Sequence, residues 1–350
     1  DSMKCLFFLS GESLDLGKAE VSNLLGISLE GRGRLLLGDV RPRDLDLGRR
    51  LAFTNGIYRF LFSVSLSMLE REMERFSWGS VCKGSFCVRV HTMNGKSGGL
   101  SERDLAGFVW RSLRSPRVDL ESPDTLITLF VSGSKVYCGI QLFQVESDFE
   151  GRKAHKRAVL HPTSLNPKLA RCLVNLIGVS SGVIADPFCG TGGILIEAGL
   201  MGFKVLGYDL YDVMVSNARK NFRKYGIKEF TLKVADALQL QEKLDYVVTD
   251  VPYAMNTSIW RKAESGNVRL VLDKNLPEKR MRALRDFYLA FLGNLRKILK
   301  KKGVLVFPHY VKAASLLRRA GFRVEYKYVQ YIHGSLRREI FVVTPRKDDA

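Results

Sequence analysis

From residue 165 to the C-terminus the chain alternates short runs rich in β-branched residues with segments of helical periodicity, and this rhythm restricts the fold more than any other feature. Strands read at 183–185, 204–208, 230–234, 244–249 and 303–307, and helices at 167–177, 194–201, 212–225, within 278–299, and at 311–320. A parallel strand needs a crossover to reach its neighbour, so strands spaced by helices imply a parallel sheet covered on both faces. Two closing strands, at 323–333 and 338–344, have no helix between them and predict a terminal antiparallel hairpin. The expected class is α/β, a doubly wound Rossmann-like sheet ending in that hairpin.

Residues 1–149 follow another pattern. Strands at 4–9, 34–40 and 57–64 with a helix at 14–25 make a small α+β unit over 1–65. A helix at 67–76, a strand at 86–93, a helix at 101–113 and a hairpin of 125–131 with 135–145 around Ser132-Gly133-Ser134 make a second unit over 66–149. Residues 150–166 are polar and basic, carry Pro162, and read as an ordered linker to an alternating domain over 167–350.

At 350 residues the chain is long enough for two or three cores. Met3 is the expected native start. No apolar stretch approaches the roughly 20 residues of a membrane span, and no basic-then-apolar leader opens the chain, so a cytoplasmic protein without membrane contact is expected. Cys82 and Cys87 alone are close enough to suggest a pair, and no zinc-type spacing occurs, so no metal is expected. The net charge of +19 is unevenly spread: residues 154–350 hold 34 Lys and Arg against 17 Asp and Glu. Such a field attracts phosphate backbones by counterion release. Lys156, Arg157, Arg282, Arg285, Lys300, Lys301 and Arg338 are the candidate cations for facing such a backbone.

After the first strand of the alternating domain comes Asp186-Pro187-Phe188-Cys189-Gly190-Thr191-Gly192-Gly193. A dinucleotide fingerprint needs a further glycine where Leu195 stands, and a phosphate loop needs Gly-Lys-Ser/Thr, so neither phosphate-cradling pattern is present. An acidic residue leading into Gly-x-Gly favours a cationic, phosphate-free ligand with an amino-acid end, a description that S-adenosylmethionine fits. Asp209, followed by Leu210, ends the next strand, where a carboxylate can accept both ribose hydroxyls. Asp236 can accept an adenine amine while neighbouring amides such as that of Ala237 meet the ring nitrogens. Each aspartate alone is also a common turn or helix cap. Four at successive strand ends, Asp186, Asp209, Asp236 and Asp250, are much harder to attribute to turns.

The fourth strand runs into Thr249-Asp250-Val251-Pro252-Tyr253. Pro252 has no N–H and holds Val251 out of the helical region, so the chain leaves the sheet in a bend that frees carbonyls. A carboxylate, a bent backbone and an aromatic face together suit methylation of an amino group on a flat base.

These residues, with His155-Lys156-Arg157, His161-Pro162-Thr163-Ser164-Leu165 and His333-Gly334-Ser335-Leu336-Arg337-Arg338, resemble the THUMP-domain RNA methyltransferases, in particular the tRNA guanine-10 N2-methyltransferases. The resemblance spans the chain. It implies a ferredoxin-like unit, a THUMP domain and a Rossmann-like catalytic domain, with Thr163 joining the cofactor set. It also implies that Asp250 and the Val251 carbonyl hold the two N–H groups of guanine N2 while Pro252 sets the turn and Tyr253 stacks on the base. The family's fourth motif usually has two prolines, and here the first is Val251. Implied partners are tRNA and a small zinc-binding activator subunit. The neighbouring readings are a guanosine at tRNA position 6 or in ribosomal RNA, a DNA adenine N6-methyltransferase, and a non-catalytic RNA-binding module.

Overall fold

The computed structural model describes residues 2–93, 99–145, 148–158, 165–253, 259–263, 266–270, 277–333 and 336–346. The chain forms two compact units, one of residues 1–49 and 53–146, the other of 50–52 and 147–350.

In the first unit, β1 (Met3–Leu9), β2 (Glu30–Arg32), β3 (Leu35–Val40), β4 (Thr54–Ser65), β5 (Phe86–Thr92), β6 (Thr125–Ser132) and β7 (Lys135–Gln144) form one sheet in the order β2-β3-β1-β4-β7-β6-β5. Its pairs are antiparallel except β5 with β6. Because β4 pairs with β7, the stretches before and after residue 65 share this sheet. Among the described residues, three α-helices accompany it: α1 (Leu14–Leu25), α2 (Leu69–Arg75) and α3 (Glu102–Ser112). Helix α1 stops at Gly26, whose φ of 63° suits glycine. Helix α3 starts where the Ser101 side chain accepts from the Asp104 N–H. Met73, Trp78, Leu105 and Val109 pack with Ile127 and Leu129 of the sheet as one apolar cluster.

The second unit holds β8 (Val183–Asp186), β9 (Lys204–Asp209), β10 (Phe230–Val234), β11 (Leu244–Asp250), β12 (Ile259–Ala263), β13 (Gly266–Leu270), β14 (Leu299–Pro308), β15 (Phe322–His333) and β16 (Leu336–Pro345). Its helices are α4 (Pro167–Asn175), α5 (Gly193–Leu200), α6 (Asp212–Lys224), α7 (Pro277–Ile298) and α8 (Ala313–Arg319). The main sheet runs β10-β9-β8-β11-β14-β16-β15. Strands β10 to β14 in that order are parallel, and β16 is antiparallel to both neighbours, the terminal hairpin that the sequence implies. The separate hairpin of β12 with β13, between the fourth-strand motif and α7, is not legible in the sequence. Helix α7 buries Leu284, Phe287, Tyr288, Phe291, Leu292, Leu295 and Ile298, a stripe with the spacing of one helical face, each large side chain contributing about 2 kcal/mol of burial.

Helix α5 is different, since Ile194, Leu195, Ile196, Glu197 and Ala198 are all buried. A carboxylate there must be paired. Arg152 donates to Glu197 at 2.7 and 3.2 Å, and Arg171 of α4 donates at 3.0 Å. The triad fastens the turn at Glu150–Arg152, within the expected linker, onto α4 and α5. Glu197→Gln would remove the negative charge shared by two buried guanidiniums, so a loss of about 3 kcal/mol of stability is expected in denaturant unfolding. A loss below 1 kcal/mol would show that water solvates the pair.

Candidate active site

Parallel strands end at the same edge of a sheet. Asp186, Asp209 and Asp250 are the last residues of β8, β9 and β11, and Asp236 lies two residues past β10, so four adjacent strands deliver four carboxylates to one edge. The crevice outside the carboxyl ends of such strands is where open α/β sheets bind ligands.

Asp186 is buried. One of its oxygens accepts from the Phe188 N–H at 3.0 Å and from the Thr249 hydroxyl at 2.6 Å, which ties the first-strand loop to the fourth-strand motif. Burial pushes its carboxyl up to about 7 against those two bonds, with Asp250 and Asp209 adding to the rise. Asp209 accepts from the N–H groups of Gly190 at 2.9 Å and Tyr211 at 3.1 Å, so the glycine loop is held against β9. Gly190 (φ 52°) and Gly192 (φ 89°) adopt left-handed backbone, and the Asn221 side chain donates to the Thr191 carbonyl at 3.0 Å. Pro187 is buried, and Phe188 meets Phe291 of α7 edge-on at 4.8 Å. The Cys189 thiol is buried, and burial raises its pKa well above the ordinary thiol value, which makes it inert. Asp236 accepts from the Leu238 N–H at 2.9 Å through Oδ1. Ala237 is buried beside it, and Leu210 is half-buried after Asp209.

At the fourth strand, Asp250 is half-buried with its Oδ1 enclosed, and desolvation pushes its carboxyl up to about 6, with Arg338 and a hydrogen bond from Tyr253 acting against the rise. Arg338 Nε donates to the Tyr253 hydroxyl at 2.9 Å, giving a chain from guanidinium to phenol to carboxylate. Two tyrosines that sequence reasoning missed fix the backbone of the bend. Tyr288 of α7 donates to the Pro252 carbonyl at 2.6 Å, and Tyr310 donates to the Tyr253 carbonyl at 2.8 Å. Nothing in the local sequence around either tyrosine signals that contact.

S-adenosylmethionine can be tested against this edge. Among the described residues, Asp236 Oδ2 and Asp250 Oδ1 are buried without a hydrogen-bond partner, leaving acceptors for donors from outside the chain. A Cβ built on Gly190 meets nothing within 4 Å, so the loop opens onto free space there. The acceptor at the third strand end and the open glycine loop at the first fit a cationic nucleoside with an amino-acid tail, and the acceptor at the fourth is left for a second molecule.

The expected RNA-facing cations separate. Lys156, Arg282, Lys300 and Lys301 are exposed, the last two beside Asp245 at 3.8 and 2.9 Å. Arg157 is buried instead, donating to the Arg152 carbonyl at 3.2 Å and packed so closely on Gly193 that a Cβ there would lie 3.1 Å from its Nη1. Arg285 is half-buried and donates to the Val311 carbonyl at 2.6 Å, and Arg338 points to Tyr253. Thr163 lies outside the described residues.

A family model described as the RMKL-like methyltransferase domain matches residues 154–265. The tRNA (guanine(10)-N2)-dimethyltransferase of Methanothermobacter thermautotrophicus is 33% identical over 97% of this chain and 99% of its own length. The chain belongs to the tRNA guanine-N2 methyltransferase family. A second relative, the tRNA (guanine(10)-N2)-dimethyltransferase of Pyrococcus abyssi, is 32% identical over 77% of each chain. The crystal structure of TrmN from Thermus thermophilus shares the fold over 98% of this chain and 99% of its own, with a TM-score of 0.51 at 21% identity. The protein is an α/β methyltransferase, and S-adenosylmethionine is its methyl donor. No helix among the described residues is long and apolar enough to cross a membrane.

Proposed function

We propose that the protein methylates the exocyclic N2 amine of guanosine 10 in tRNA, with Asp250, Val251, Pro252 and Tyr253 forming the acceptor site. The observation that carries this reading is Asp250: a half-buried aspartate whose enclosed Oδ1 has no hydrogen-bond partner, beside a bend whose other carbonyls are already held. The two relatives named for guanine 10, one of them matched over 99% of its length, favour the position.

When bound, S-adenosylmethionine supplies a methyl group on a positively charged sulfur. Asp186, Asp209 and Asp236, with the loop Pro187 to Gly192, Leu210, Ala237 and, outside the described residues, Thr163, form its proposed site. Ionised Asp250 accepts one N–H of the guanine amine and the Val251 carbonyl accepts the other, which directs the nitrogen lone pair toward the methyl donor. Tyr253 stacks on the base, and in-line alignment supplies most of the rate. Methylation would make the amine nitrogen acidic, and Asp250 would take up its proton. A carboxyl at about 6 accepts that proton readily near neutral pH. The base must leave its stack to reach this edge.

The first unit would carry the ferredoxin-like (1–65) and THUMP (66–149) parts and engage tRNA, joined through 150–166 to the catalytic part. Lys156, Arg282, Lys300 and Lys301 would meet its phosphates. A small zinc-binding activator subunit is part of the proposal: edge strand β15 exposes Val329 and Tyr331 on one face and Tyr326 on the other, an edge that a small partner would cover. Light scattering after co-expression tests that complex. The six free cysteines fit a reducing compartment such as the cytoplasm.

The deciding experiment incubates the protein with labelled cofactor and two tRNA transcripts, one with guanosine 10 replaced. Label in N2-methylated guanosine, absent from the replaced transcript, is expected. Label persisting in the replaced transcript would move the target to another guanosine.

A further inference from the structure

The bend after β11 presents three carbonyls, and Tyr288 and Tyr310 occupy those of Pro252 and Tyr253. The Val251 carbonyl ought to be taken as well, because β11 is flanked by β14 and the ladder continues past Asp250. Asp250 faces Val306 in register, and the Val251 N–H donates to the Val306 carbonyl at 3.1 Å. In a parallel ladder the residue that receives a bond from one strand is followed, two positions on, by the residue whose N–H returns the next bond. That return bond would run from residue 308 to the Val251 carbonyl.

Residue 308 is proline, which has no N–H. Its place is unusual. Strand β14 lies between β11 and β16, and a proline in a strand paired on both sides is normally excluded because it removes a ladder bond. Here it ends β14 and faces Arg338 across β16, the residue that holds the Tyr253 hydroxyl. Val306 already points its carbonyl at β11, and backbone groups two residues apart leave a strand on the same side, so the Pro308 nitrogen faces β11 too.

We infer that Pro308 is a positioning residue: by withholding an N–H from the ladder it keeps the Val251 carbonyl open as an acceptor for the substrate amine. The inference rests on the acceptor site proposed above. It accounts for tolerance of valine at residue 251, since the vacant acceptor depends on the facing strand and on a carbonyl that any residue supplies.

Val251-Pro252 is the one Val-Pro step in the sequence, so 13C-carbonyl valine with 15N-proline labelling isolates this carbonyl in a carbon-detected spectrum. In the wild-type protein the signal is expected at the position of a carbonyl without a strong donor, and to shift when tRNA is added with S-adenosylhomocysteine. In Pro308→Ala the new N–H completes the ladder: the signal sits at the hydrogen-bonded position before tRNA is added, kcat falls about tenfold, and cofactor affinity and melting temperature stay near wild type. A Pro308→Ala enzyme with an unshifted carbonyl and wild-type kcat would overturn the inference while leaving the acceptor site standing. If that variant does not fold, a wild-type signal already at the hydrogen-bonded position and unmoved by tRNA overturns it equally. Asp250→Ala run in parallel separates the two ideas, since full activity there would remove the acceptor site itself and the inference with it.

Discussion

Asp250→Ala is expected to lower methyl transfer about 10³-fold while S-adenosylmethionine affinity, read by calorimetry, changes little. The proposed cofactor set lies at the ends of β8, β9 and β10, and Asp250 is proposed for the acceptor side of the edge. Rate in the wild-type enzyme should also fall as pH drops through about 6, because a protonated Asp250 can neither accept the amine N–H nor take up its proton. The same burial carries a stability cost whose sign is fixed. A carboxyl raised from 3.8 to about 6 binds its proton more tightly in the folded state, so its contribution is present below pH 3.8 and is lost as pH rises through about 6. Asp250→Asn cannot ionise. It should therefore melt higher than wild type at pH 8, by an amount on the order of 2–3 kcal/mol, with the gap closing near pH 4. A variant both inactive and less stable at pH 8 would mean that the carboxylate holds the fold together and is not held in place for chemistry.

The alternation after residue 165 was enough to foresee a parallel sheet with an antiparallel end, because crossover length and strand hydrophobicity are local properties of the chain. The four aspartates were legible for the same reason: each follows an apolar run, and parallel strands must end together. Contacts that depend on which strands become neighbours were not legible. Thr249 meets Asp186 only because β8 and β11 are adjacent, though 63 residues separate the pair. Arg338 read as one more surface cation by composition, yet the register of β16 on β14 brings it to Tyr253, 85 residues away. Arg157 and Glu197 were hidden for a related reason, since a charge in the sequence carries no sign of whether packing will enclose it. The hairpin of β12 with β13 consists of two five-residue strands without a clear alternation of apolar and polar residues, too short and mixed for periodicity to register.

Gly192→Ala and Gly190→Ala should separate what the loop does for the fold from what it does for the cofactor. Both residues hold left-handed backbone, which costs an alanine about 1–2 kcal/mol. At Gly192 the added methyl would also lie 2.5 Å from Phe222, a fully buried ring set edge-on to Phe230 at 5.1 Å with no room to retreat. Overpacking of that kind adds a further 1–3 kcal/mol or so, giving about 3–4 kcal/mol in all and a misplaced start to α5. Denaturant midpoint and cofactor affinity should then fall together. At Gly190 the methyl enters open space and the N–H bond to Asp209 survives, so stability should drop by no more than the backbone strain. Its affinity for S-adenosylmethionine should nonetheless fall at least tenfold, because glycine at such a position lets a ligand approach the backbone and a side chain fills that approach. Wild-type affinity in Gly190→Ala would place the cofactor away from this turn, and the four strand-end aspartates would then need another ligand.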